Sequence, residues 1–260
     1  TASLRVAPYP KYNLQFTVAY SVIDWLNQVG ALPTPSTAVM LAFPDRFVRD
    51  GNGHLIEVDS RSVNFETQHK RQLRLSSNFS LPLSSARPAF GPSIKSRARA
   101  GLRTMLQANF SYTLVLEATT RIRTGLPEID LLNGGAVGVG GGEQRHAADF
   151  GLALTRGGSG LRLRGTWRGG SSLRIGSASA PDVLTFAPLL RLDANLYADL
   201  GAIFQGSGLA KGARLTLAAE NIANRRQGVL NQADLVPAGY QPAYRDPVGR
   251  TVSIELRKVF

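Results

Sequence analysis

The feature that most constrains this chain is a period of two. Over residues 11–22 the even positions are Tyr12, Leu14, Phe16, Val18, Tyr20 and Val22, and the odd ones are Lys11, Asn13, Gln15, Thr17, Ala19 and Ser21. Successive side chains of a strand point to opposite faces, so this segment reads as a strand with one apolar and one polar face. The same pattern recurs over 73–81, 102–117, 148–155, 161–168, 190–200, 214–220 and 251–257. With a short piece at 2–7, the chain is expected to hold roughly nine strands.

Two properties of these strands favour a membrane. Soluble sandwich strands run about 5–6 residues, whereas several here alternate for the ~9–11 residues a tilted strand needs to cross hydrocarbon. The polar face also carries Arg162, Arg164, Arg168, Arg191, Asp193, Glu220, Glu255 and Arg257. Burying such charges in a dry core would be costly. In a wet lumen, with the apolar face toward lipid, they cost little. The pattern therefore predicts an all-β fold, an antiparallel transmembrane β-barrel with lumen-facing polar residues, as one unit over residues 1–260. The alternative is a soluble sheet with its polar face in water and its apolar face on a dry core.

Composition closes other routes. No apolar run approaches the ~18 residues of a spanning helix, so entry into a membrane would require a closed barrel that pairs every backbone group. Cysteine is absent, which removes disulfides, thiolate metal sites and a cysteine nucleophile. The net charge of +12 raises nucleic-acid binding, but the basic residues form no single helix or stripe. Their densest run, from Arg87 to Arg103, contains Pro88, Gly91 and Pro92 and reads as a connection. Thr1-Ala2-Ser3-Leu4-Arg5 lacks a signal-peptide pattern, so a mature or truncated chain is expected.

The connections alternate in length. Those at 8–10, 156–160 and 204–211 are short, and those at 24–61, 121–143, 170–183 and 222–247 are long. Outer-membrane barrels have short periplasmic turns and long extracellular loops. On that parity the final strand descends to a periplasmic carboxyl terminus. The connection 82–96 falls on the short-turn side and is long for it.

The chain ends Gly239-Tyr240-Gln241-Pro242-Ala243-Tyr244-Arg245-Asp246-Pro247-Val248-Gly249-Arg250, followed by an alternating strand that finishes at Phe260. This run resembles the last loop and strand of TonB-dependent outer-membrane receptors. The phrase Leu215-Thr216-Leu217-Ala218-Ala219-Glu220-Asn221-Ile222-Ala223-Asn224 resembles that family's penultimate strand, with Ala223 where the family usually carries an aromatic residue. Phrases at 43–50, 58–65, 130–135 and 140–146 resemble one subgroup. The resemblance implies the carboxyl-terminal part of a large barrel, with no counterpart here of the plug domain. It implies active uptake of a scarce nutrient, such as a siderophore or carbohydrate, energised through TonB. The implied partners are the rest of the barrel and its plug, the TonB complex, the barrel-assembly machinery and outer-membrane lipid, with no nucleic acid. Gly249, Val252, Ile254, Leu256 and Phe260 would form the assembly signal in the last strand.

Other motifs carry less. Gly138-Val139-Gly140-Gly141-Gly142 lacks the Gly-Lys-Ser/Thr ending of a phosphate loop and reads as a flexible surface loop. His54, His69 and His146 are far apart, without metal-ligand spacing, and read as loop or strand-end residues. Asp45, Asp50, Asp59 and Asp130 form no acid–base couple, and no serine sits in a nucleophile elbow. No enzyme, cofactor or metal site is expected. Two further readings stand beside the receptor: a small self-contained barrel serving as a passive pore or structural protein, and a soluble basic β-protein that binds nucleic acid.

Overall fold

The computed structural model describes residues 1–9, 13–33, 35, 37–83, 104–137, 141–177, 180–204 and 207–259. The dominant element is one antiparallel sheet. Its path runs through β1 (Ala2–Tyr9), β2 (Leu14–Gly30), β3 (Val63–Pro82), β4 (Thr104–Arg121), β5 (His146–Arg156), β6 (Ser159–Arg168), β7 (Leu189–Asp199), β8 (Ala213–Glu220) and β9 (Thr251–Lys258). Each strand pairs with the next in sequence, so the sheet is an uninterrupted up-and-down meander. The two-residue strand Ile129–Asp130 adds to the end of β4.

The all-β, antiparallel expectation holds. No closed barrel forms among the described residues, because β1 and β9 stand at opposite ends of the sheet and each pairs on one side only.

The meander places the connections at two ends. The β5–β6 turn is Gly157-Gly158, both with positive φ (53° and 83°), between the register partners Arg156 and Ser159. Two left-handed residues make the tight turn whose twist suits a hairpin, and glycine takes that conformation without strain. The β7–β8 connection lies at the same end and holds a short helix, Leu200–Ile203, capped by Asp199. The opposite end carries the connections 31–62, 122–145, 169–188 and 221–250.

Several boundaries differ from the sequence expectation. β2 continues past Asp24 to Gly30, and β3 begins at Val63, because their ladder extends to the pair Gly30–Val63. The apolar alternation stops earlier, near Val22, so the sequence pattern marks only part of the ladder. The stretch 170–183 is a hairpin rather than an open loop, with Ser171–Ser177 paired to Ala180–Phe186. Most of the connection 82–96, residues Lys11 and Tyr12, and Phe260 lie outside the described residues.

The buried core is not under the sheet. The fully buried large side chains include Phe65, Phe186, Ile122, Leu173, Leu184, Val39 and Val229, and all lie in the long loops or at the strand ends that carry them. One cluster joins Leu32, Val39, Phe43, Phe47, Phe65 and Ile122. A second joins Ala136, Leu173, Leu184, Phe186 and Val229.

Candidate functional site: two faces of a wall and a layer of loops

The register turns the sequence alternation into continuous rows. Leu81, Leu106, Leu154, Leu161, Leu196, Leu217 and Ile254 are successive cross-strand partners over seven strands. Directly opposed residues share a face of the sheet, so one face is apolar across this whole width. That face is uncovered among the described residues: Phe16, Val18, Leu75, Phe110, Phe150, Leu152, Leu163 and Leu196 are exposed, and Ile254 is 71% exposed. Contiguous apolar surface on this scale marks an interaction surface rather than ordinary scatter.

Toward the long-loop end the same face becomes polar. Asp24 Oδ1 lies 2.5 Å from His69 Nδ1, and Arg71 pairs with Glu117. His69 thus sits inside β3, not at a strand end, held by a cross-strand carboxylate. His54 contacts Asp50 in a loop at 3.3 Å. His146 opens β5 and contacts the Tyr112 hydroxyl at 2.6 Å.

The opposite face is polar in the same continuous way. Gln15, Asn78, Asn109, Gly151, Arg164 and Asp193 form one row. Arg162 opposes Asn195, and Arg191 opposes Thr166. Glu220 opposes Thr251, Glu255 opposes Thr216, and Arg257 opposes Arg214. Together with Arg168, paired to Asp149 at 3.0 Å, all eight charged residues expected on one face are on one face. Val252, Ile254 and Leu256 lie on the other, apolar face of edge strand β9.

Tyr197 also lies on the polar face, and it is buried. Its ring packs over Gly160, where a Cβ would come within 2.7 Å of the hydroxyl oxygen. The guanidinium groups of Arg162 and Arg214 stack on it at 5.1 and 4.6 Å from the ring centroid. Alternation places Tyr197 among polar residues without singling it out. An aromatic residue among the charged and polar positions of its strand, Arg191, Asp193 and Asn195, is the signal that could have done so.

Gly249 has φ +64° and donates its N–H to Asp246 Oδ1. A Cβ there would meet Asn224 Oδ1 at 2.6 Å, while that oxygen accepts the N–H of Arg250. The turn into β9 is therefore built around glycine.

The long loops interlock sideways. Pro33 bridges to Val137, and Gly134 to Leu173. Phe186 and Thr185 pair with Val229-Leu230. Each of the four loops thus touches its neighbour. Gly141 packs against the Phe186 ring, and Gly142 is buried against three backbone carbonyls. The described glycines of this run therefore serve packing, because only a residue without a side chain fits between those segments, and they are not a free surface loop.

A cleft of about 710 Å³ opens at this end, lined by residues 42–46, 62–66 and 122–124 with Asn27. Arg123 stacks on Phe43 at 5.1 Å. Thr124 Oγ1 donates to Glu66 Oε1 at 2.6 Å. Beside it Asp59 accepts from Arg46 at 2.7 Å and from Arg61 at 2.6 Å. These partners, Arg61 first, hold the Asp59 carboxyl well below the usual carboxylate range. Asp50 is lowered by the backbone N–H of His54. Asp130 accepts from the N–H groups of Leu132 and Asn133 and from the Asn133 amide. These aspartates organise loops.

Compared with protein-family models, with curated proteins and with solved structures, the chain gives no match.

Proposed function

We propose that this chain is a stretch of the wall of a bacterial outer-membrane β-barrel, and that the barrel is a TonB-dependent receptor for a scarce nutrient. The apolar face would meet lipid and the polar face would line the lumen. The interlocked loops would form the extracellular surface, leaving the short turns and the carboxyl terminus periplasmic. The observation that carries this reading is the in-register apolar face, uncovered over seven strands among the described residues, while the buried cores sit in the loops. A soluble protein would put that face inside. From Leu73 to Leu81 the band covers nine residues, the length a tilted strand uses to span hydrocarbon at ~9–11 residues.

The free edges of β1 and β9 support a larger barrel over a small self-contained one. An exposed, flat edge is a pairing site, and neighbouring wall strands would occupy both. The Tyr240-to-Phe260 run supports the TonB-dependent family, in which the plug and TonB would drive uptake of siderophore or carbohydrate.

Fractionation tests the membrane reading. The gene product should partition with outer membranes and resist extraction by high salt. A monomeric product that stays soluble without detergent would overturn it. Uptake that persists without TonB would overturn the receptor reading while leaving the barrel intact.

A further inference from the structure

We infer that Arg162 and Arg214, which stack on Tyr197, and Arg257, the cross-strand partner of Arg214, form a binding site at the short-turn end of the polar face for an oxyanion, a carboxylate or phosphoryl group. The argument starts from a like-charge contact. Arg214 and Arg257 are direct cross-strand partners, an arrangement that is destabilising unless something offsets it. Arg162 and Arg214 converge on one ring, which orients both guanidinium groups over a buried phenol.

Among the described residues no side-chain carboxylate supplies a counter-charge. Every aspartate and glutamate lies among the described residues, and none of their side chains reaches within 4.0 Å of these three arginines. The nearest candidates are otherwise placed. Asp199 opposes Arg214, but its Oδ1 accepts the N–H of Ala202 at the start of the short helix. Glu255 opposes Thr216. Arg214 itself donates to the Gly158 carbonyl, at 3.3 Å.

The other half of the same face is different. There Arg168 pairs with Asp149 and Arg191 with Asp246. Two arginines toward the loops are thus paired with carboxylates, and these three toward the turns are not. Arginine presents a planar fork of donors that suits carboxylate and phosphoryl groups, and all three side chains are exposed.

Arginine modification by phenylglyoxal tests the site, with rates read residue by residue by mass spectrometry. The experiment uses the full-length gene product in whichever cell fraction it occupies, so its outcome is independent of the membrane reading. Citrate and pyrophosphate are compared with chloride at equal ionic strength. At least one oxyanion should slow Arg162, Arg214 and Arg257 by roughly ten-fold and leave the exposed polar-face residues Arg5 and Arg74 unchanged. Protection by citrate alone assigns the site to carboxylates, and protection by pyrophosphate alone assigns it to phosphoryl groups. Equal protection at all five arginines, or protection matched by chloride, would overturn the proposal. Arg257→Gln, on the exposed edge strand, should reduce protection of Arg214. Unchanged protection there would show that the residues do not act together.

Discussion

The ring of Phe150 lies across Gly165, its direct cross-strand partner, so closely that a Cβ on Gly165 would sit 2.0 Å from Phe150 Cζ. The aromatic ring covers the backbone that glycine leaves bare, a known device for steadying a strand that carries glycine. Gly165→Val should therefore displace the ring and destabilise the β5–β6 hairpin by about 1–3 kcal/mol, despite valine's strand propensity. Urea unfolding of the full-length gene product in detergent micelles, followed by tryptophan fluorescence at the neighbouring Trp167, measures it. A stabilising valine would refute the packing argument.

The membrane reading makes a sharper demand at Leu163, near the middle of the apolar band and opposed by Leu152 and Ala194. Leu163→Arg should cost about 2–4 kcal/mol of folding into bilayers, while Arg164→Leu, one residue away on the other face, should be tolerated. Folding of the full-length gene product into phosphatidylcholine vesicles, scored by heat-modifiable gel mobility, separates the two. Equal tolerance of both changes would remove the case for lipid contact.

Residues 1–260 on their own expose two strand edges, β1 and β9. Unpaired edges recruit other chains, so the isolated segment should aggregate rather than persist as a folded monomer. Sedimentation of refolded protein checks this, and a monomeric, heat-modifiable band would contradict it.

Asp59 gives a prediction in pH. Its folded pKa is depressed by Arg61 and Arg46, so its contribution is present above the unfolded value of 3.8 and is lost as pH falls below that toward the folded value. Asp59→Asn should speed hydrogen exchange over residues 46–61 at neutral pH. The difference from the native protein should shrink steadily once the pH drops below 3.8.

Phe186 is fully buried between the 171–186 hairpin and Val229. Phe186→Ala should cost about 3–5 kcal/mol locally. The expected signature is new proteolytic cleavage within 169–188 and 221–250 with the strands of the main sheet left intact. Simultaneous loss of both would mean that loops and sheet unfold as one unit.

The sheet was largely legible in the sequence, because alternation is a local property. β9 and the first part of β2 show it residue by residue, and the register confirms that the eight charged residues share a face. The upper part of β2 was not legible. Past Asp24 its side chains no longer sort into apolar and polar sets, and Asn27 takes a positive φ of 52°, yet the ladder with β3 continues. The loop cores were also invisible. Phe65 and Ile122, or Leu173 and Val229, are single apolar residues far apart in the chain, and only the meander brings them together. The same holds for the arginine site, since Arg162, Arg214 and Arg257 come from three separate strands.

The bridges between the loops have a consequence for recognition. From Pro33 to Val137, from Gly134 to Leu173 and from Thr185 to Leu230, the surface at that end is a mosaic drawn from four distant stretches of chain. A binder that fits it reads a conformational epitope. Peptides copied from any single loop will not compete for such a binder, and antibodies raised against those peptides will not see the folded surface.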